Sequence, residues 1–370
     1  MSTPELSLRA LNRATLARQM LLERATVPVE TAVARLAGMQ AQIPRPPYLG
    51  LWTRLAGFER AALTAALHAR RVVRATAWRG TLHLLTADDL RTFRGSLQEM
   101  LSRGMRSVLG GRVEGLDMVA LLAEARGFFA AKPASFEAAR AHLATRFPVD
   151  DARFLGYAVR THLPLVQVPD DSAWGFPAAA DFALAEQWLG QEIPTGNAGL
   201  PALVRRYLAA FGPASIQDAQ NWSGIGGLRA TFAALRGELA TFRDARGREL
   251  FDLPDAPRPE EATPAPVRFL PEYDNLVLGH DDRRRIVADA HRPRLVTKNL
   301  QVPATFLIDG FVAGTFKVER KKKTATLALT PFGKLLKKDQ RALEAEGDAL
   351  LAFVEPEAAT RDVVAAAPSG

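Results

Sequence analysis

An α+β fold is predicted, built from helical units that each end in a two-stranded wing, followed by a strand-rich C-terminal part. Three observations predict it. Helical apolar spacing followed by a pair of short strand patterns recurs three times before residue 256. A Pro- and Glu-rich stretch, residues 254–264, then reads as a linker or surface loop. Beyond it the period shifts towards strand, in short runs broken by glycine. Helices followed by a wing describe a winged helix. The expected organisation is therefore three tandem winged-helix units, at residues 1–100, 101–196 and 197–256, and a small β-barrel with a C-terminal helix at 257–370.

In the first unit, Leu8, Leu11, Leu16, Met20 and Leu21 lie near helical spacing. Pro28 suits the start of the next helix, which carries Val33, Leu36 and Met39. A helix from about Glu59 to His68 precedes Arg71–Leu85, which reads as two strands around a turn. In the second unit, Met118–Phe129, Ser135–Thr145 and Ala152–Leu163 read as helices. Its hairpin is expected between Leu165–Val168 and Ala173–Phe176. In the third, Leu200–Phe211 is a helix, Ser215 caps the next, and Leu228–Leu235 follows. Leu239–Arg243 and Glu249–Asp252 flank its turn. The C-terminal part offers strands in Val267–Leu270, Ala304–Gly310, Phe311–Val318 and Thr324–Leu329, a helix from Lys338 to about Phe353, and a partly frayed end from Glu355.

With 370 residues, 48% of them apolar, the chain can bury a large core, and length alone suggests two or three domains. No apolar run is long enough to span a membrane and no secretion signal opens the chain, so a cytoplasmic protein is expected. Cysteine is absent, which excludes disulfides, thiolate metal sites and cysteine nucleophiles. The net charge of +8 is compatible with a nucleic-acid partner, but where the charge clusters matters more than the sum. No phosphate loop, nucleophile elbow or His-Glu-x-x-His motif occurs.

The candidate chemistry lies in Gly38-Met39-Gln40-Ala41-Gln42-Ile43-Pro44-Arg45-Pro46-Pro47. Prolines force the chain out of helix near Ile43. Two positions apart on a helix point about 200° from each other, whereas in extended chain they share a face. Extended backbone would let the amides of Gln40 and Gln42 hold one water between them. A bare Gln-x-Gln otherwise merely closes a helix. The run Arg320-Lys321-Lys322-Lys323 should cap a hairpin, as a solvated turn or as a probe of DNA phosphates. His83 alternates with Leu82 and Leu84 and reads as a structural histidine or as one facing a polar cleft. Glu272 and Asp274 could pair for acid–base work, and His280-Asp281-Asp282-Arg283-Arg284-Arg285 could contribute metal ligands. The arginines in that run neutralise the carboxylates, and no metal or cofactor is expected.

Four stretches, Leu36–Gln42, Trp78–Leu84, Leu270–Leu276 and Ile308–Thr315, resemble the signature segments of the AlkZ-like DNA glycosylases, in the same order over nearly the whole chain. The resemblance implies three winged-helix units and a β-barrel forming a C-shape with a basic concave surface for duplex DNA. It implies a Gln-apolar-Gln catalytic motif, matched by Gln40, Ala41 and Gln42, where a sister branch has Asp at the second position. It places the chain with the branch that unhooks azinomycin-type interstrand crosslinks and confers toxin self-resistance. Arg45, Arg79, His83 and Arg320–Lys323 are then the expected DNA-facing residues, and the expected partner is double-stranded DNA carrying alkylated or crosslinked guanine. A monomer is expected, located at the nucleoid when bound. A non-catalytic winged-helix transcription regulator is the alternative.

Overall fold

The computed structural model describes residues 3–113, 115–295 and 301–366. The architecture is α+β, with three sheets set among helices in the described residues.

The sheet that organises the site is antiparallel, in the order Met39–Gln40, Leu82–Thr86, Val72–Thr76, Leu165–Gln167 and Phe182–Leu184. Successive residues of a strand face opposite sides, and the two sides here meet different helices. Val72 and Leu84 pack with Val33, Leu36, Leu51 and Leu63, from the N-terminal helices. Val73, Ala75 and Leu85 pack with Trp78, Leu203, Tyr207, Phe211 and Trp222, which brings in Leu200–Phe211 and Ile216–Ser223. Both Ser215 and Asp218 bond to each other's main chain, forming the capping box that starts the second of these helices.

One expected hairpin forms differently. Leu165–Gln167 pairs with Phe182–Leu184, not with residues 173–176. Gly175, at φ 72°, closes a compact loop in which Ser172 N–H donates to Asp170 at 3.1 Å. The aromatic side chains of that loop find cations instead of a strand: Trp174 lies under Arg60 at 4.1 Å and Phe176 under Arg74 at 5.0 Å. Helices Met118–Ala131, Phe136–Ala144 and Arg153–His162 enclose a separate core with Leu165, Phe182 and Leu184. The hairpin Ala240–Asp244 with Glu249–Asp252 gains a third, parallel strand from the N-terminus, Glu5–Leu6.

The C-terminal sheet is open, so the expected small β-barrel is corrected. Its order is Thr360–Ala365, Thr324–Pro331, Phe311–Lys321, Thr305–Ile308 and Arg268–Leu270, and the two end strands do not meet. The physical reason is the helix Lys337–Val354. Its Leu343, Leu350, Leu351 and Val354 cover Phe269, Phe306, Phe316 and Leu327, so the apolar face is buried without closure. The expected fraying after Glu355 is also corrected: Thr360–Ala365 pairs in parallel with Thr324–Leu329. Residues 367–370, which fell within that expectation, lie outside the described residues.

Candidate active site

The helix Val29–Arg35 delivers the chain to the site through two left-handed residues, Ala37 at φ 54° and Gly38 at φ 86°. Position 38 requires glycine twice over. The backbone is left-handed, and a Cβ there would stand 2.5 Å from Leu85 Cδ2. The next residues, Met39–Gln40, form a short strand with Met39 opposite Leu84 and Gln40 opposite His83. The prolines that end the extended stretch then open the helix Pro46–Trp52 from its first turn, where a missing N–H costs nothing.

The ladder ends in an exchange of partners. Ala41 N–H donates to Leu82 O at 2.7 Å. Leu82 N–H does not return to the main chain but donates to the side-chain oxygen of Gln42 at 2.8 Å. The Ala41 carbonyl accepts from Arg74 Nε at 2.8 Å and that of Gln42 from Arg74 Nη2 at 3.1 Å. Gln42 is thus exposed but tied to the end of a strand.

Gln40 is buried and held from another direction. Its amide oxygen accepts from Arg79 Nη2 at 2.9 Å, and the same nitrogen reaches Asn275 Oδ1 at 3.1 Å. The other end of the guanidinium donates to Trp222 O. An arginine and a backbone N–H can only donate, so both amide oxygens are identified chemically. Neither amide nitrogen of the pair has a protein acceptor among the described residues. Gln40 lines a small open cleft of about 20 Å³, room for about one water, with Met39, Pro46, Pro47, Tyr273 and Asn275; Gln42 is not among its lining residues. Under the cleft Arg54 and Asp274 form a buried two-pronged ion pair, both contacts at 2.9 Å.

Burial, followed by the charge of Arg283, lowers the pKa of Arg79 to about 10, so it remains a cation at neutral pH. Burial, followed by the Arg79 charge, lowers His83 to about 3. The imidazole is therefore neutral. Nδ1 lies 3.1 Å from Thr81 O, which places the proton there, and Nε2 is buried without a partner.

Two of the residues expected to face DNA turn inward. His83 has no exposed surface. Arg79, at φ 55° in the turn Trp78–Gly80, spends its donors on Gln40, Asn275 and Trp222. Arg45 is half-buried, 5.6 Å from the Trp174 ring and 4.0 Å from Glu355. The basic run does cap a hairpin: Lys321 pairs with Thr324, and Lys322 takes φ 54° at the tip. Lys321, Lys322 and Lys323 are exposed, while Arg320 donates to Lys322 O at 2.7 Å and lies 3.7 Å from Glu355. Glu272 is exposed and Asp274 is engaged by Arg54, so the two do not form a carboxylate pair. Among the described residues no three His, Asp or Glu side chains gather as a metal site. The supporting roles of Arg79 and Asn275 escape a reading of the chain, because their partners lie 39 and 196 residues from Arg79. No described helix is long and apolar enough to cross a membrane.

The fold is shared with a protein of known structure. An interstrand DNA cross-link repair glycosylase of Streptomyces sahachiroi is 25% identical over 352 residues, 89% of this chain and 91% of the relative. The solved structure of Streptomyces sahachiroi DNA glycosylase AlkZ matches with a TM-score of 0.78 at 21% identity, covering 98% of this chain and 100% of that one. The family model of AlkZ-like DNA glycosylases matches residues 33–353. The chain therefore belongs to the AlkZ-like family of DNA glycosylases, enzymes that act on N-glycosyl bonds.

Proposed function

We propose that this protein is a monofunctional DNA glycosylase that hydrolyses the N-glycosidic bond of N7-alkylguanine and unhooks azinomycin-type interstrand crosslinks, leaving an abasic site and protecting its host from the toxin. The observation that carries this reading is the pair Gln40 and Gln42, the first lining the cleft and the second two residues further along the same non-helical stretch. Each amide oxygen is fixed by a donor, and among the described residues each amide nitrogen lacks a protein acceptor. A carbonyl oxygen has two lone pairs, so each can still accept a bond. A water between the amides can then donate to an oxygen, accept from a nitrogen, and present its remaining lone pair to C1′ of the deoxyribose.

Glutamine does not titrate and cannot act as a general base near pH 7. The substrate must supply the drive. Guanine alkylated at N7 is cationic and departs as a neutral base, taking the electron pair of the C1′–N9 bond. The water oxygen bonds to C1′ and its proton passes to solvent. Positioning and fixed dipoles contribute roughly 3–4 kcal/mol per good donor, too little for an undamaged base, which supports selectivity for cationic adducts. Among the described residues no lysine lines the cleft, in keeping with hydrolysis without strand cleavage.

In this reading residues 1–100, 101–196 and 197–256 act as winged-helix units and 257–370 as the C-terminal domain, curved round duplex DNA on a basic face. A base tied to both strands resists full extrusion into a closed pocket, and the open cleft suits such a substrate. The tip Lys321–Lys323 and Arg45 meet the backbone, and the protein works as a monomer in the cytoplasm, on the nucleoid when bound. The test is incubation with an N7-methylguanine duplex and a crosslinked duplex, followed by heating in alkali. Strand breaks at the lesion are expected, and Gln40→Ala or Gln42→Ala should each lower their rate about 10²-fold or more. Lesion-strand breakage after incubation with wild-type protein and heating in alkali that is no greater than in a control without protein overturns the proposal.

A further inference from the structure

The run from His280 to Arg285 carries six ionisable side chains, and the fold occupies five of them internally. His280 Nε2 stands 2.8 Å from Phe211 O. Asp281 accepts from Asn221 at 2.5 Å. Asp282 accepts from Arg284 at 2.6 Å and from Arg248 at 3.1 Å. Arg285 is buried and donates to Pro213 O at 2.8 Å. Arg283 is the exception. It is half-buried, its Nε lies below the surface without a hydrogen-bond partner, and among the described residues no ion pair or hydrogen bond engages its guanidinium.

Its position is fixed by its neighbours. Asn221 and Trp222 end the helix Ile216–Ser223; Asn221 binds Asp281, two residues before Arg283, and Trp222 O accepts from Arg79. Arg283 is therefore anchored beside the arginine that holds Gln40. The charges around it are unbalanced. Arg79 and Arg292 are cations, and Asp281 favours the charge of Arg283 without pairing with it. A guanidinium with a desolvated N–H and cationic neighbours is short of an anion, and its planar fork suits the oxygens of a phosphate.

We infer that Arg283 binds a backbone phosphate of the DNA strand beside the nucleotide presented to Gln40 and Gln42, and so seats that sugar in front of the two amides. This rests on the glycosylase reading above and adds to it the residue that sets the register of the strand. Arg283 acts on the substrate's backbone, not on the bond that breaks, so its loss should raise KM more than it lowers kcat.

The experiment uses the full chain and a duplex with one N7-methylguanine, in which the phosphates around the lesion are replaced one at a time by neutral methylphosphonate. Arg283→Gln, which keeps the packing of the stem, should weaken binding about tenfold and make the log K–log salt slope shallower by about one. Arg283→Lys should restore the slope. At one phosphate position the methylphosphonate should weaken wild-type binding but leave Arg283→Gln unaffected, and Lys322→Ala should keep the wild-type response there. If Arg283→Gln and wild type share one slope and respond alike at every position, the inference is overturned. Should Arg283→Gln lose its native circular dichroism, Arg283→Met, which is uncharged and keeps the stem packing, takes its place in the same cycle: a wild-type slope and response at every position also overturns the inference. Binding to undamaged duplex is read in parallel. Failure of wild type to form alkali-labile abasic sites would count against the glycosylase reading, while the phosphate cycle would still judge Arg283.

Discussion

One nitrogen of Arg79, Nη2, lies 2.9 Å from the amide oxygen of Gln40 and 3.1 Å from that of Asn275. The turn of one hairpin thus holds together residues from the N-terminal and C-terminal parts of the chain. Arg79 takes a left-handed backbone to do so, at φ 55°, a conformation that costs an ordinary residue about 1–2 kcal/mol. The strain is offset by three acceptors that would otherwise lie unpaired.

Arg79→Ala should therefore destabilise the protein by about 2–3 kcal/mol, because several buried acceptors lose their donor together. Arg79→Gly relieves the backbone and removes the fork, which separates the two effects. Both variants should lower kcat by about 10-fold or more with little change in KM, measured by single-turnover release of base. Normal kcat in Arg79→Gly would show that Gln40 does not depend on this bond.

Gln42 should have a structural signature apart from any catalytic one. Its oxygen takes the Leu82 N–H where the ladder ends. Gln42→Ala should cost about 0.5–1.5 kcal/mol and speed hydrogen exchange at the Leu82 amide. Gln42→Glu keeps an acceptor at the same reach and should keep that amide protected. Equal exchange in wild type and Gln42→Ala would mean the bond is not formed in solution.

The buried histidines predict an acid-side loss of stability. Burial holds His83 and His280 at about 3, well below the ordinary value of 6.5. Between these values the unfolded chain binds protons that the folded one does not. Stability is then complete above about pH 6.5 and declines as pH falls towards 3, by up to ~1.4 kcal/mol per pH unit for each group. His83→Leu should flatten the fall of Tm between pH 6.5 and 4. An unchanged slope would show that His83 does not contribute.

The lysine tip should act through charge alone. Lys321, Lys322 and Lys323 are exposed, whereas Arg320 is partnered within the hairpin and by Glu355. Replacing the three lysines by Ala should weaken DNA binding and reduce the salt slope by about 2–3 without altering Tm. A slope equal to that of the wild type would remove the tip from the DNA contact.

Much of the local structure was legible in the chain itself. Leu200–Phe211 shows its helical spacing, Ser215 announces the next helix, and the prolines after Ile43 start the helix Pro46–Trp52; the helix before them, expected to reach Met39 and end near Ile43, instead stops at Arg35 ahead of the left-handed Ala37 and Gly38. These depend on neighbours a few residues away, where propensity and capping act. The Gln-x-Gln pair was likewise visible as residues emerging from helix into extended chain. What only the tertiary structure decided was where long-range partners stand. Leu165–Gln167 chose Phe182–Leu184 over a nearer apolar stretch, the C-terminal sheet stayed open under a helix, His83 proved fully buried as its structural reading had it, and the half-buried Arg79 was committed to internal acceptors. Alternation in a strand tells which residues share a face but not what that face meets. The direction of an arginine is set by acceptors that folding gathers from distant segments, as Gln40, Asn275 and Trp222 are gathered around Arg79.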